Sequence, residues 1–264
     1  MKGKTMLKVE KVSRHFGGLA AVDDLDLDVA PSEILGLIGP NGAGKTTFFN
    51  VISGFLRPTS GTIIFDGQDI TGLKAHRIAR LGMARIFQAS VLFMKISVME
   101  NVFTGYHMGY RTSFWKRLLR TPSALLEEEG FRRRAVEILE FMGLADLKGE
   151  IAENLSHGHQ RILAVCLALA TGPKLLLLDE PVTGMNPMEI QAMMALVKQI
   201  RDRGVTIIMV EHDMKAVMSL CDRVVVLNYG RKIAEGLPKE IRANKEVVEA
   251  YLGREGGQPV VARD

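Results

Sequence analysis

Short runs of apolar residues recur along the chain and predict β-strands. They lie at 34–38, 62–65, 175–178, 205–210 and 224–227, and nearly every residue in them is apolar. Such strands are typical of a parallel sheet that is covered on both faces, because both sides of each strand are then buried. The pattern therefore predicts a buried, mostly parallel sheet.

Between these runs, apolar residues recur every three or four positions, as they do on one face of an α-helix. The clearest example covers 188–203, with Pro187 near its start and Gly204 just after its end. Its apolar face comprises Ile190, Met193, Met194, Val197 and Ile200. Strands that alternate with helices in this way predict an α/β domain.

The stretch 90–155 differs, because it lacks strand patterns and is helical in character. We therefore predict one domain over 1–252, with an α/β part formed by 1–89 and 156–252 and an inserted helical part formed by 90–155. The remaining residues, 253–264, are Gly-rich and polar and are expected to be disordered.

Composition changes this picture little. Apolar residues make up 47% of the chain and charged residues 24%, as in ordinary globular proteins. The formal net charge of +4 permits binding to phosphates, nucleic acid or an anionic membrane but requires none of them. The N-terminus lacks a secretory signal, and no run approaches the roughly 20 apolar residues of a membrane span. We expect a soluble cytosolic protein in which Cys166 and Cys221 are buried free thiols.

The sharpest motif follows the strand at 34–38 and precedes a predicted helix at 45–52. It fits the phosphate-loop pattern, in which glycines let backbone N–H groups surround the phosphates. The helix N-terminus and Lys45 add positive charge, and the Thr46 hydroxyl is suited to Mg²⁺. The predicted ATP-binding residues are Gly39, Pro40, Asn41, Gly42, Ala43, Gly44, Lys45, Thr46 and Thr47.

A second motif, LLLLDEP at 175–181, delivers two acids at the end of a buried strand. Ligands bind at the carboxyl ends of the strands in open α/β sheets. Asp179 suits the holding of Mg²⁺, and Glu180 suits the role of general base toward an attacking water. The alternative is a helix-capping carboxylate followed by a solvated acid.

A third motif, LSHGHQR at 155–161, resembles the signature Leu-Ser-Gly-Gly-Gln of the ABC ATPase family. Ser156 and Gly158 match, whereas His157 and His159 stand in place of one glycine and the glutamine. Ser156 can cap the following helix and offer its hydroxyl to a γ-phosphate. The alternative is a capped helix start and nothing more.

Once the family is considered, other positions resemble its motifs. Gln88 matches the glutamine that senses Mg²⁺, water and the membrane partner, and His212 matches the histidine that contacts the γ-phosphate. Phe16 resembles the aromatic residue that stacks on adenine, although most single phenylalanines belong to a core. Residues 184–186, Gly-Met-Asn, resemble the loop that crosses to the partner subunit, with Asn in place of the usual Asp.

The resemblance covers about 7–253 and implies an ABC ATPase fold: a phosphate-loop NTPase core, an antiparallel β subdomain and an inserted helical subdomain. It implies an ATPase that uses ATP and Mg²⁺. The chain looks most similar to the ATP-binding subunits of branched-chain amino acid importers, on segments that include FGGLAA at 16–21, EPVTGMNP at 180–187 and AYLG at 250–253.

Such a subunit implies several partners at the cytoplasmic face of the cell membrane. These are two membrane-spanning permease subunits, a second ATP-binding subunit (the same chain or a sister ATPase) and, indirectly, a periplasmic or extracellular solute-binding protein. The signature residues Ser156, His157, Gly158 and His159 would act on ATP held by the partner subunit. No nucleic acid is expected.

Departures from the family pattern add two open questions. Leu167 stands where relatives usually carry arginine, and with His157 and His159 it could alter half of the composite site. We expect the two histidines to retain phosphate sensing, so restoring Gly and Gln should change ATP turnover less than about tenfold. The segment RTSFWKRLLR at 111–120 could contact a membrane or a permease, but a helix that packs its apolar stripe on its own lobe is the favoured interpretation.

Rival functions remain at this point. One is the engine of another ABC transporter, for urea or for lipid export. Another is a soluble ABC ATPase that acts on ribosomes or nucleic acid, although such proteins usually carry two cassettes or a long coiled coil. A third is an isolated ATP-binding regulator.

Overall fold

The structure is a computed structural model that describes residues 5–87, 92–109 and 112–252, without the side chains of Met108, Phe114 and Leu252. Gln88 and the tail 253–264, for which the sequence made predictions, lie outside the described residues.

Ten strands are described. They are β1 (Leu7–Phe16), β2 (Leu19–Val29), β3 (Ile34–Ile38), β4 (Ser60–Phe65), β5 (Gln68–Asp69), β6 (Met83–Ile86), β7 (Leu175–Asp179), β8 (Thr206–Val210), β9 (Arg223–Asn228) and β10 (Arg231–Gly236).

The described residues also form ten α-helices and three short 3₁₀ helices. The α-helices are α1 (Lys45–Ile52), α2 (Ala75–Arg80), α3 (Val98–Thr104), α4 (Phe114–Leu118), α5 (Pro122–Phe141), α6 (His157–Ala170), α7 (Pro187–Asp202), α8 (Met214–Leu220), α9 (Pro238–Ala243) and α10 (Lys245–Leu252). The 3₁₀ helices are Gly105–Gly109, Ala145–Leu147 and Ala152–Asn154.

The strands form two sheets. The larger sheet has the order β10-β9-β3-β8-β7-β6, and all its neighbours are parallel except β10 and β9. The smaller sheet, β2-β1-β4-β5, is antiparallel throughout. The predicted α/β fold class, with a mostly parallel core sheet and an antiparallel β subdomain, is confirmed.

One strand is in a different sheet from the one that the sequence pattern predicted. The run at 62–65 was expected in the parallel sheet, but β4 pairs antiparallel with β1. Only Ile63 and Phe65 are buried among the six residues of β4. The apolar run is therefore the alternating pattern of a strand with one buried face, which a short apolar stretch does not reveal.

The larger sheet has a hydrophobic core on each face. In β3, Ile34 and Ile38 belong to the core formed with α6 and α7, whereas Leu35 and Leu37 belong to the core formed with α1 and the antiparallel sheet. Side chains alternate across a strand, so a strand that is apolar at every position contributes to both cores. This double burial fixes the ends of β3, β7 and β8, where the candidate site lies.

Between β6 and β7 the described chain is helical, and its only β pairing is an isolated bridge between Ser97 and Ile151. α6 packs against α3 and α5 and so joins this helical region to the parallel sheet. None of the helices within the described ranges is long and apolar enough to cross a bilayer.

The interpretation favoured for the segment 111–120 is wrong in its described part. Trp115, Leu118 and Leu119 are 68%, 60% and 74% exposed, so they do not pack on their own lobe. Arg111 lies outside the described residues. By contrast, Cys166 and Cys221 are buried free thiols, as predicted. Burial raises the pKa of Cys166 and raises that of Cys221 to about 12, so both remain protonated thiols near neutral pH.

Candidate functional site

The phosphate-loop sequence forms the connection between β3 and α1, and its glycines are required by close backbone contacts. Gly39 and Gly44 have φ values of +151° and +103°. A Cβ atom on Gly39 would lie 2.2 Å from the carbonyl oxygen of Leu227, and one on Gly44 would lie 2.3 Å from that of Ala21. No other residue would fit at these two points, so the loop is held tightly between β9 and β2.

Lys45 is the first residue of α1, and its side chain turns back over the loop. Its Nζ donates hydrogen bonds to the carbonyl oxygens of Gly39 at 2.6 Å and Pro40 at 3.1 Å, and the residue is only 6% exposed. The loop therefore holds an ammonium group beside the N-terminus of α1, where no acidic residue occupies the first turn. Both features favour a bound anion.

Asp179 ends β7 and is 8% exposed. Arg85 of β6, the adjacent strand, donates from Nη2 to Asp179 Oδ2 at 2.8 Å, and the two side chains are 5% and 10% exposed. Arg85 Nη1 also donates to Asn50 Oδ1 at 2.7 Å and to Ser53 Oγ at 3.3 Å. A single guanidinium thus connects the strand-end carboxylate to α1, the helix that follows the phosphate loop.

Glu180 has its backbone in the left-handed region, with φ at +50°. Its Oε1 lies 2.9 Å from Nε2 of His212, which follows β8, and its Oε2 accepts a bond from Thr183 Oγ1 at 3.3 Å. A non-glycine residue with positive φ is uncommon and is maintained only where the surrounding structure holds it. Glu180, proposed from the sequence as the general base, and His212, proposed as the γ-phosphate contact, are thus within hydrogen-bond distance of each other.

Glu211 lies beneath this pair and is only 3% exposed. Its Oε1 accepts a bond from the Val182 N–H at 3.0 Å, and its Oε2 accepts bonds from the N–H groups of His212 at 3.0 Å and Asp213 at 3.5 Å. Burial raises the pKa of Glu211 above its usual value, although the three N–H donors act in the opposite direction. One carboxyl group thus holds both loops that carry Glu180 and His212.

Sequence reasoning assigned no role to Arg85 or Glu211. Arg85 is a charged residue in the otherwise small and apolar strand β6, and Glu211 immediately follows the buried strand β8. A charged residue that the strand pattern forces into the interior must find a partner. That signal is present in the sequence, but it does not identify the partner.

Ser156 is the N-cap of α6, and its Oγ accepts a hydrogen bond from the His159 N–H at 3.2 Å. The helix therefore begins at His157, earlier than the apolar pattern at 162–170 indicated. Both His157 and His159 are exposed at this helix start.

His157 lies against the loop that precedes α7. A Cβ atom on Gly184 would lie 3.2 Å from the His157 ring, and a Cβ on Gly158 would lie 2.6 Å from Oε1 of Glu189. Asn186 caps α7, since its Oδ1 accepts bonds from the N–H groups of Met188 and Glu189, both at 3.0 Å. Asn caps a helix as effectively as Asp, so Asn186 can replace the Asp that is usual at this position of the loop motif.

Two aromatic residues lie near the two ends of the described chain, and one of them, Tyr251, reaches the phosphate loop. Phe16 ends β1 and is 44% exposed, with the guanidinium carbon of Arg14 4.5 Å from its ring centroid. Tyr251 of α10 is partly buried, and this burial raises its pKa to about 12, against a smaller effect of a hydrogen bond from the Gly39 backbone. Gln88 lies outside the described residues, so the structure says nothing of its position.

An apolar cavity of about 390 Å³ lies between α2, β6 and α6. Its lining includes Phe55, Phe87 and Leu167 together with Arg85. Phe55 and Phe87 meet edge to face, with 5.2 Å between ring centroids. Arg85 therefore borders this cavity and contacts Asp179 at the same time.

Comparison with known sequences agrees with these motifs. The family profile described as "ABC transporter" matches residues 22–183, and that described as "Branched-chain amino acid ATP-binding cassette transporter" matches residues 231–257. The high-affinity branched-chain amino acid transport ATP-binding protein LivG of Escherichia coli K12 is 42% identical over 94% of this chain and 98% of the relative. The corresponding protein BraF of Pseudomonas aeruginosa is 41% identical over 95% of this chain and 98% of the relative.

The fold is also that of a known class of structures. The ADP conformation of an ATP-binding cassette from an ABC transporter superposes with a TM-score of 0.83 and 31% identity, over 95% of this chain and 99% of that structure. The matches extend over nearly the whole chain and include the phosphate loop and the Asp179–Glu180 pair. The chain therefore belongs to the ABC transporter family, as one of its ATP-binding and ATP-hydrolysing subunits.

Proposed function

We propose that this chain powers the uptake of branched-chain amino acids as the ATPase subunit of an importer. The observation that supports branched-chain amino acids as the cargo is the similarity to LivG and BraF over almost their entire lengths. This similarity includes a C-terminal segment typical of that transporter group. The catalytic roles below rest on the geometry of the site.

ATP binding is assigned to residues 39–47. The tight glycine turns would let backbone N–H groups surround the phosphates, and Lys45 would exchange its bonds to loop carbonyls for bonds to phosphate oxygens. Phe16, an exposed aromatic residue at the end of β1, would stack on the adenine. The phosphate contacts thus use groups that already belong to the loop.

Magnesium binding is assigned to Thr46, Asp179 and Gln88. The oxygen donors of Thr46 and Asp179 suit a hard cation. Among the described residues only Arg85 bonds to the Asp179 carboxylate, and it does so through Oδ2, which leaves Oδ1 for the metal or its water. When bound, Mg²⁺ would neutralise part of the negative charge of the phosphates. The proposed metal site thus depends on Arg85, which orients the Asp179 carboxylate.

Hydrolysis is assigned to Glu180 as general base and to His212 as its neighbour. The carboxylate would accept a proton from the attacking water, and the His212 ring, 2.9 Å away, would orient it and contact the γ-phosphate. The left-handed backbone of Glu180 and the bonds of Glu211 to both loops support a rigid placement. Preorganisation of this kind lowers the barrier without a large movement.

A second subunit completes the site. ATP-binding subunits of ABC transporters dimerise, and we propose that Ser156, His157, Gly158 and His159 of one chain meet the phosphates bound by its partner, which is a second copy or a sister ATPase. The exposed N-terminus of α6, capped by Ser156, supports contact with an anion. Closure would exclude water, and charge repulsion after hydrolysis would separate the pair.

The chain works with membrane permeases and associates peripherally with the membrane. We propose two permease subunits at the cytoplasmic face, served indirectly by an external solute-binding protein. The apolar cavity bordered by Arg85 would receive a permease segment. Because Arg85 also bonds to Asp179, this cavity lies next to the proposed metal site. In this proposal 90–155 acts as the helical part and 1–89 with 156–252 as the nucleotide-binding part.

Uptake in cells tests the cargo. Deletion of the gene should abolish high-affinity uptake of radiolabelled leucine, and the wild-type gene should restore it, whereas a Glu180→Gln gene should not. Proline uptake serves as the control and should not change. If the purified chain hydrolyses ATP but its deletion leaves leucine uptake intact, the cargo is wrong and the ATPase assignment stands.

A further inference from the structure

The aromatic ring of Phe16 is covered on one face by the side chain of Arg14. The two residues are two positions apart at the end of β1, so their side chains lie on the same face of the strand. The guanidinium carbon of Arg14 lies 4.5 Å from the centroid of the Phe16 ring. The ring is nevertheless 44% exposed. One face of the ring thus has a partner within the chain, and the exposed area remains available to a ligand.

The guanidinium of Arg14 is held in this position by the loop between α1 and β4. Its Nη1 donates a hydrogen bond to the carbonyl oxygen of Arg57 in that loop, at 3.1 Å. Two further bonds tie the same loop to β1: the Thr59 N–H donates to the Ser13 carbonyl oxygen at 2.7 Å, and the His15 N–H donates to Thr59 Oγ1 at 3.0 Å. The cation is therefore anchored to backbone on the side of the ring that faces the protein.

The positive charge of Arg14 is not balanced by an acid within 5–87, 92–109 and 112–252. None of the ion pairs formed there includes Arg14, and its covered Nε has no hydrogen-bond partner among these residues. The face of an aromatic ring is electron-rich and attracts a cation, more strongly where the cation is partly removed from water. Arg14 thus acts on the Phe16 ring as a cation that no carboxylate neutralises.

The strand end that carries this pair lies beside the phosphate loop. Arg14 pairs with Val22, and the next residue of β1 pairs with Ala20, so Ala21 is an extra residue in β2. A bulge of this kind changes the direction of a strand end. The carbonyl oxygen of Ala21 approaches Gly44 so closely that a Cβ there would lie 2.3 Å from it. One strand therefore separates the exposed ring from the last glycine of the phosphate loop.

We propose that Arg14 is a positioning residue for the adenine base and that it acts through Phe16. The base would stack on the open face of the ring, while the guanidinium holds the opposite face. The guanidinium fixes the orientation of the ring and draws electron density from it, and both effects favour a base stacked on the other side. Arg14 would then strengthen nucleotide binding without a direct contact to the nucleotide.

This inference rests on the proposed stacking of adenine on Phe16 and goes beyond it by assigning a role to Arg14. The two can fail separately, because Phe16 can stack on adenine with or without help from the guanidinium.

Calorimetry with Mg-ADP and with Mg-pyrophosphate tests the proposal on the purified full-length chain. The two ligands share a diphosphate group, and only ADP carries a base. Phe16→Ala should weaken ADP binding at least about fivefold, and Arg14→Gln should weaken it about two- to fivefold. Neither substitution should change pyrophosphate binding. Arg14→Lys keeps the charge but not the planar group, so it should bind ADP more tightly than Arg14→Gln.

A double variant shows whether Arg14 acts through the ring. Arg14→Gln added to Phe16→Ala should cause no further loss of ADP binding, because no ring remains for the guanidinium to act on. The matched control is Arg203→Gln, which removes a guanidinium that lies 3.4 Å from the ring centroid of Phe141. It should bind ADP like the wild type.

ADP binding by Arg14→Gln at the wild-type level overturns the proposal, and the stacking on Phe16 stands if Phe16→Ala binds ADP more weakly. An equal loss of ADP and pyrophosphate binding in Arg14→Gln would mean that Arg14 acts on the phosphates or on the fold. Additive losses in the double variant would mean that it acts independently of Phe16, and either result overturns the proposal. Unchanged ADP binding by Phe16→Ala would overturn both the stacking and the role of Arg14.

Discussion

Glu180 donates its backbone N–H to the carbonyl oxygen of Val210 at 2.9 Å, one residue beyond the last parallel pair of β7 and β8, Asp179 and Val210. The sheet ladder therefore continues to the proposed catalytic base itself. The bond sets the Glu180 backbone beside the loop of Glu211 and His212. The relative position of base and histidine is in this way a property of the sheet register.

Glu180→Gln should lower the rate of ATP hydrolysis at least about 100-fold, because the amide keeps the shape of the side chain but cannot accept the proton of water. Nucleotide binding should persist, since the phosphate loop is unchanged. Steady-state phosphate release and calorimetry with Mg-ATP measure the two properties. Glu153→Gln, at an acid paired with Lys95 at the surface, is the control and should hydrolyse ATP normally. Near-normal turnover in Glu180→Gln would mean that Glu180 is not the general base.

Arg85→Met should lower the free energy of unfolding by about 3–5 kcal/mol, because Asp179 would be left as a buried charge without its partner. ATP hydrolysis should fall as well, since the carboxylate loses its orientation. Chemical denaturation measures the first effect. Lys95→Met removes an exposed ion pair with Glu153 and should change stability little.

Adding Asp179→Asn to Arg85→Met should recover part of the lost stability but none of the activity, since it removes the stranded charge together with the proposed metal ligand. If Arg85→Met is as stable as Lys95→Met, the buried Arg85–Asp179 ion pair does not stabilise the fold.

Glu211 should make the protein less stable as the pH rises. Burial raises the pKa of Glu211 in the folded state above its ordinary value of 4.5, so the folded protein retains a proton that the unfolded chain has lost. This favourable contribution is full below the unfolded pKa and disappears as the pH rises through the folded pKa.

In Glu211→Gln the group cannot titrate, and at least one of the three N–H groups loses its acceptor, which should cost about 1–3 kcal/mol. The stability gap between wild type and variant should therefore narrow as the pH is raised from below 4.5 through the folded pKa. Denaturant unfolding at a series of pH values measures the gap. A gap that widens with pH would contradict the raised pKa.

Mixed dimers test the two-subunit site. Lys45→Ala and Ser156→Arg should each abolish ATP hydrolysis when present in both subunits. In a dimer of one chain of each kind, the intact phosphate loop of the Ser156→Arg chain faces the intact signature of the Lys45→Ala chain, so one of the two sites works.

Co-expression of the two variants with different tags, followed by tandem purification, isolates the mixed dimer. About half of the wild-type activity is expected from it, as a head-to-tail pair has two equivalent sites. The control is a dimer in which both chains carry the same substitution, with the two tags, purified in the same way. An inactive mixed dimer would mean that each signature acts on the ATP of its own chain.

Much of this protein could be predicted from the sequence because its signals are local. The glycine spacing of the phosphate loop, the apolar strands β3, β7 and β8, and the two acids at the end of β7 are all visible in short stretches of sequence. Helix caps are local too, and Ser156 was predicted as a cap before α6. Sequence similarity then confirmed the family.

Other features depend on segments distant in sequence, and only the tertiary structure decided them. The sheet to which β4 belongs depends on pairing with β1. The partner of Arg85 is 94 positions away, and Glu211 accepts a hydrogen bond from Val182, 29 positions earlier. A sequence pattern shows that a charge must be compensated but does not show by what.

The apolar stripe of α4 is a further case. Its periodicity is the same whether the helix packs on its lobe or faces outward, so only the exposures of Trp115, Leu118 and Leu119 distinguish the two. Local spacing thus predicted which groups of the phosphate loop would meet a nucleotide, because those groups follow one another along a single loop. The folded structure determined what holds them in place, because burial, ion pairing and sheet register arise only when distant segments pack together.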